Sequence, residues 1–236
     1  MNSMDAKSVE KALISLADKE KAVQLLRFFK TGKGEYGEGD KFLGIVVPAQ
    51  RKVVAQFRTL PLQEIGKLLG SPYHEFRLTA LLILVYQFER CKDEAVREKM
   101  YDFYRTNRRY INNWDLVDLS ARQVVGGWLL HRDRGILYQY AESQNVWDRR
   151  IAVIATFRFI AERDFADSLK LCRMLMADRH DLIHKATGWM LREIGKRDRK
   201  PLLEFLDRHS KKMPRTMLRY AIEHLSISER KKYMMR

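Results

Sequence analysis

The sequence predicts an all-α protein, a HEAT-like solenoid of stacked two-helix repeats (an α-α superhelix) with a concave basic groove. Three observations carry that expectation. Apolar residues recur at steps of three and four along most of the chain. Strand-like alternation flanked by hairpin turn pairs does not occur. A small-residue register returns at intervals close to those of HEAT and armadillo units. The whole chain, 1–236, reads as a single domain of this kind.

Taken in order, the N-terminal stretch MNSMDAKSVEKALISLADKEK carries charges throughout and lacks the apolar core of a signal peptide. The segment Gly32 to Gly44, GKGEYGEGDKFLG, is the first clear non-helical interruption. Gly32, Gly34 and Gly37 spell Gly-x-Gly-x-x-Gly, but a dinucleotide fingerprint needs a strand before it and a helix opening within it. Here a helical pattern precedes it and Gly39, Asp40 and Gly44 continue the loop, so it reads as an interhelical connection and no cofactor is expected. Phe76, Ala80, Leu81, Leu84 and Phe88 mark one helix face; Ile151, Ile154, Ala155 and Phe159 mark another; Leu182, Ala186, Trp189, Met190 and Ile194 mark a third. Pro48, Pro61, Pro72, Pro201 and Pro214 fall between such segments, where helices start or stop. Roughly a dozen helices of ordinary length result.

The repeat aligns Arg77, Asp118, Arg150 and Lys185. Two residues after each comes Thr79, Ser120, Ala152 or Thr187, and three after comes Ala80, Ala121, Val153 or Gly188. Small residues on one face let a neighbouring helix approach closely. Three of the four leading positions are basic and are expected to line one curved surface. The fourth is an aspartate, which phosphate would repel, so it calls for a chemical or a structural reason.

Charge indicates the partner. The 236 residues include 45 Lys or Arg against 30 Asp or Glu, a formal charge of +15. Such a balance favours a polyanion, nucleic acid first and an anionic membrane surface second. At 46% hydrophobic residues the chain can bury a core and is no disordered basic tail. Residues 179–219 alone hold 12 Lys or Arg and 5 Asp or Glu, a net +7. Cys91 and Cys172 make no disulfide framework. The longest apolar run, Ala80 to Tyr86, is too short to span a bilayer. These features exclude secreted disulfide-stapled and membrane-spanning classes and point to a soluble protein of a reducing cytoplasm.

The segment Asn112-Asn113-Trp114-Asp115-Leu116-Val117-Asp118 is the most informative. Either asparagine can cap a helix, and Asp115 in the first turn complements its dipole. Trp114 and Asp118, four apart, share a face. The commonplace reading makes Trp114 core and pairs Asp118 with Arg77 or Arg150; the functional reading makes them a site. Gln144 to Arg150 again opens a helix with a cap and an aromatic, and Trp189 and Arg192 lie three apart on nearly one face. Gly188 beside Trp189 implies the close approach of a helix or a ligand, helix packing being the plainer choice. His180 and His184 imitate a metalloprotease pair, but Asp181 replaces the glutamate and no third ligand follows, so no metal is expected.

WDLVD at Trp114 to Asp118, NVWDRRIAV at Asn145 to Val153, HKATGWMLREIGK at His184 to Lys196 and GEGDKFLGIVVPAQRK at Gly37 to Lys52 resemble the DNA alkylation repair family of HEAT-like-repeat DNA glycosylases. The resemblance implies hydrolysis of the N-glycosidic bond of cationic alkylated purines, such as 3-methyladenine and 7-methylguanine, in double-stranded DNA. It implies a monofunctional, cofactor-free and metal-free enzyme, acting as a cytoplasmic, nucleoid-associated monomer of bacterial type. Its aromatic–carboxylate–aromatic cleft maps onto Trp114, Asp118 and Trp189, and its phosphate-contacting arginines onto Arg150 and Arg192. Lys185 and Arg77 join the DNA-binding set through the repeat register. Such enzymes hold the duplex without drawing the lesion into a base pocket, unlike glycosylases that extrude the base. The family often carries tyrosine where this chain has Phe28 or Phe29. The rival readings are a non-catalytic solenoid that binds damaged or branched DNA and a protein-interaction scaffold.

Overall fold

A computed structural model describes residues 4–235 of the chain. Among the described residues every regular element is helical; Lys41 and Tyr73 make an isolated β-bridge. The chain divides after Ser120 into two compact units.

The first unit begins with α1 (Ala6–Ile14) and α2 (Lys19–Phe28). Asp5 and Asp18 cap them by accepting from the Ser8 and Lys21 amides. α2 buries none of its side chains. The glycine-rich stretch is a loop, as expected. It ends at Gly44, which has a φ of +84°. A Cβ there would collide with the Asp18 carbonyl oxygen and leave 2.7 Å to the Ala22 nitrogen, so only glycine fits. α3 (Val47–Gln56) takes Pro48 in its first turn, and α4 (Leu62–Leu69) starts behind Pro61. α5 (His74–Arg90) is the centre: it packs on α1, α3 and α4 and buries 13 of its 17 residues. A helix covered on nearly all sides needs apolar residues all round, which is what Leu78 to Val85 supplies. Each such aliphatic side chain contributes about 1.5–3 kcal/mol by leaving water. α6 (Glu94–Asn107), capped by Asp93, and the short α7 (Trp114–Asp118) complete the unit, and both contact α5.

The second unit opens with a π-helical turn, Arg122–Gly126, leading into α8 (Gly127–Leu129). Helical pairs then stack. α9 (Gly135–Ala141) packs on α10 (Val146–Ala155), which the short α11 (Phe157–Ala161) follows after a break at Thr156. α12 (Ala166–Met174) packs on α13 (Asp181–Arg197). α14 (Arg199–His209) and α15 (Arg215–Ala221) also lie on α13, and α16 (Ile227–Met234) ends the unit behind a Ser226/Glu229 capping box. α10, α13 and α15 are successive neighbours, the arrangement of a helical-repeat stack.

The small-residue register holds. Thr79, Ser120, Ala152 and Thr187 are fully buried, and so are Ala80, Ala121, Val153 and Gly188. At Gly188 the close neighbour is a helix: a Cβ would come within 2.5 Å of the Met217 carbonyl oxygen and 2.6 Å of the Tyr220 Cβ on α15. No helix among the described residues is long and apolar enough to cross a membrane.

Candidate functional site

α7 is five residues long and starts where Asn113 accepts the Trp114 N–H through its side-chain oxygen at 2.8 Å. Asn113 is wholly buried, and its amide donates to Asp40 Oδ2 at 3.3 Å. The cap therefore ties α7 to the glycine-rich loop as well as to itself. Trp114 and Asp118 are both half-buried, on one face of this helix. Leu116 and Val117 point into the core and are fully buried.

Beneath α7 lies a charged cluster whose composition the sequence did not disclose. His74, 2% exposed at the start of α5, places Nε2 2.8 Å from Asp115 Oδ2 and Nδ1 3.3 Å from Asp40 Oδ2. Arg77 donates to the other Asp40 oxygen at 2.7 Å. Burial works against a charged imidazole, but the Asp115 carboxylate, by charge and by hydrogen bond, and Asp40 outweigh it and raise the His74 pKa to about 9. Burial likewise would raise Asp40, yet the bonds from His74 and Arg77 hold it below the usual carboxylate range. Two acids and two cations thus balance. Glu75 stands apart from this cluster. Its carboxylate accepts the amides of Leu43, Gly44 and Ile45 at 2.8–3.2 Å, fixing the loop end.

Above the cluster an aromatic column stands against α7. Phe29 stacks on Trp114 with centroids 5.3 Å apart and on Phe42 at 5.0 Å, and Phe42 stacks on the His74 ring at 4.7 Å. Phe28 meets Trp114 edge-on at 5.8 Å and is 63% exposed. These rings wall a cavity of about 330 Å³ that Asp118 also lines. Its other walls come from Leu25 on α2, Val47 and Gln50 on α3, Leu78 on α5, and Ile45 and Val46 just before α3. None of its fifteen lining residues is Lys or Arg.

In the second unit Trp189 is half-buried on α13. Its Nε1 donates to Glu193 Oε1 at 3.3 Å, and its ring meets Phe157 edge-on at 5.5 Å. The Arg122 guanidinium sits 4.2 Å over the Phe157 ring. Burial pushes Glu193 up, but Lys196 at 2.7 Å, Trp189 and Arg192 together hold it below its ordinary value. Arg192 is half-buried and pairs with Glu223. Lys185 reaches Asp181 at 2.8 Å, and its side chain is 40% exposed.

The site residues read from the sequence thus fare differently. Trp114 and Asp118 share one helix face and one cavity. Trp189, Arg192 and Lys185 lie on α13. Arg77 and Arg150 do not form part of an open basic stripe: they are 5% and 4% exposed. Arg77 serves Asp40, and Arg150 donates to the Leu182 carbonyl at the start of α13. These guanidiniums tie a helix to a loop, in Arg77, or to the next helix, in Arg150, a role that composition cannot separate from phosphate binding. His180 and His184 also have structural duties: His180 Nδ1 accepts the Leu182 amide, and His184 bonds the Asp178 carbonyl. Phe42, His74 and Asp40 escape a reading of the sequence because their partners are distant along the chain. The loop motif from Gly37 to Lys52, which contains Asp40 and Phe42, is the signal that could have found them.

A family model described as "DNA alkylation repair enzyme" matches residues 9–225. No curated protein matches the chain. Among solved structures, "Predicted DNA alkylation repair enzyme from Enterococcus faecalis" aligns with a TM-score of 0.69 at 21% sequence identity. The alignment covers 89% of this chain and 97% of that one, a likeness of fold. With the model spanning nearly all of its length, this all-α chain belongs to the DNA alkylation repair enzyme family.

Proposed function

We propose that this DNA alkylation repair protein is a glycosylase that hydrolyses the N-glycosidic bond of cationic alkylated purines, 3-methyladenine and 7-methylguanine, in duplex DNA. The observation that supports it most is the pairing of Trp114 with Asp118 on one face of α7, lining a cavity without Lys or Arg in a chain of charge +15. An N-alkylated purine already carries positive charge and leaves without a general acid. As the bond breaks, positive charge moves onto the deoxyribose. The Asp118 carboxylate stabilises that charge and takes the proton of the attacking water, a contribution on the order of 3–4 kcal/mol for a preorganised group. The Trp114 indole adds cation–π attraction of about 0.5–2 kcal/mol. Trp189 is assigned the same role on the resemblance alone. Lys185 and Arg192 contact DNA phosphates, with Asp181 and Glu223 as the partners they exchange; Arg77 and Arg150 support the helices that carry the site.

The test is release of free 7-methylguanine and 3-methyladenine from methylated duplex by the wild type and by Asp118→Asn. The variant is expected to lose about 10²–10³ in rate while keeping the wild-type melting temperature and DNA affinity. Equal release by both proteins removes Asp118 from the chemistry. DNA binding without any release by the wild type favours instead a non-catalytic protein that recognises damaged or branched DNA.

A further inference from the structure

We propose that the cleft between α12 and α14 binds a small organic phosphate, holding the phosphate on Arg173 and Arg208 and the organic part over Leu169 and Phe205. The inference is independent of the glycosylase reading and concerns the side of α13 turned away from Trp189. Position, composition and charge within the second unit support it.

Position separates the cleft from the residues assigned to DNA. Lys185, Trp189 and Arg192 are spaced i, i+4, i+7 along α13 and share one face. Thr187, Leu191 and Ile194 repeat that spacing two residues on, about 200° around the helix, and are fully buried. α12 meets this second face, where the Cys172 thiol donates to the Thr187 carbonyl at 3.5 Å. α14 lies beside it, where a Cβ on Gly195 would collide with Leu202. The cleft is lined by α12 and α14 and by no residue of α13, so it opens away from that helix and from Trp189.

Composition gives the cleft two halves. It holds about 300 Å³, at the lower end of the range for small-molecule sites. Ala166, Leu169 and Arg173 line it from α12 and Pro201, Phe205 and Arg208 from α14, each set at helical steps along one face. The apolar side chains come from the earlier turns of both helices and the arginines from their last turns. Beside the arginines His209 lies against the Phe205 ring, with centroids 4.7 Å apart. An anion carrying an apolar, planar part matches that division, whereas a bare ion uses half of it.

Charge is left unbalanced there. A basic residue in a last turn complements the helix dipole, which accounts for one arginine on each helix but not for two helix ends sharing a cleft. Among the described residues Arg173, Arg208 and Lys212 form no ion pair, unlike Arg134, Arg149 and Arg192 of the same unit. Glu204, the one acid lining the cleft, pairs with none of them, and Lys170 is already seated 4.1 Å over the Tyr138 ring. Burial and the charges of Arg173, Arg208 and Lys212 hold the His209 imidazole below its ordinary pKa, so three cations converge on one ring. A phosphate dianion placed between the guanidiniums accepts charge-assisted, two-pronged hydrogen bonds and relieves their mutual repulsion.

Phenyl phosphate and inorganic phosphate are titrated into the full chain by calorimetry, while NMR follows the His209 ring protons. Arg173→Gln/Arg208→Gln removes the cleft's arginines at exposed positions, and Lys200→Gln/Lys211→Gln removes the same charge at exposed positions outside it. Phenyl phosphate is expected to bind the wild type about tenfold or more tightly than inorganic phosphate and to raise the His209 pKa. The cleft variant should lose that binding by about tenfold or more, with the melting temperature and the salt slope for duplex DNA unchanged, and the control should keep it. Absence of binding by the wild type overturns the site, as does undiminished binding by the cleft variant. A loss in the control as large as in the cleft variant assigns binding to net charge and overturns the site too. Equal affinities for the two phosphates overturn the organic ligand. A duplex salt slope reduced by about two in the cleft variant, the value for two phosphate contacts, makes the arginines part of the DNA surface and overturns the proposal.

Discussion

His74 concentrates much of the physical chemistry of the first unit in one ring. It is held between Asp115 and Asp40, and its pKa rises from 6.5 to about 9. The folded state therefore binds the proton more tightly than the unfolded chain, so stability falls as pH rises through this range. The contribution is complete below about pH 6.5 and lost as the pH passes about 9. A shift of that size corresponds to on the order of 3 kcal/mol. Melting temperatures measured from pH 6 to pH 10 should decline more steeply for the wild type than for His74→Gln, which carries no titrating ring. Parallel curves would show that the imidazole is not the proton-binding group.

α7 and α13 show how an element positions a side chain by what it packs against. α7 has only five residues and could not persist alone, since a first helical turn costs more than it returns. Its position comes from the Asn113 cap, the Asp115–His74 bond and the buried Leu116 and Val117. α13 is long enough to stand on its own periodicity, and its constraint is steric. Gly188→Ala raises helix propensity by about 1 kcal/mol. The new methyl group would press on the Met217 carbonyl and the Tyr220 Cβ of α15, and such overpacking costs about 1–3 kcal/mol. A net fall of a few degrees in melting temperature is expected, and an unchanged or higher value would refute the close approach of α15.

At the scale of the whole molecule the charge of +15 governs association with DNA. Several basic side chains are nonetheless paired with acids within the protein: Arg192 with Glu223, Lys185 with Asp181, Arg199 with Glu229 and Arg134 with Asp164 and Asp167. These pairs are mostly half-exposed and individually weak, so phosphate can displace the acid. Affinity for duplex DNA should fall linearly with salt on logarithmic axes, with each phosphate contact contributing about 0.9 to the slope. Lys185→Ala should reduce the slope by about one, with similar loss for methylated and unmodified duplex. Arg77→Ala, by contrast, should leave the slope unchanged and lower the melting temperature, because its guanidinium is spent on Asp40 inside the protein.

The helical class, most helix ends and the face that Trp114 and Asp118 share are all legible along the chain. These are local matters: caps, prolines and apolar steps act within a few residues, and Asn113, Asn145 and Pro61 stand where the helices begin. The small residues that prove fully buried are legible too, because close helix contact demands them one by one. Folding in three dimensions was needed to turn Arg77 and Arg150 inward, to set Gly188 against α15 rather than a ligand, and to end the glycine-rich loop on the Glu75 carboxylate. It alone brought His74 to Asp115, 41 residues away, and Asn113 to Asp40, 73 away. Charge pairing inside a protein depends on which side chains meet in space, and periodicity along the chain carries no record of that.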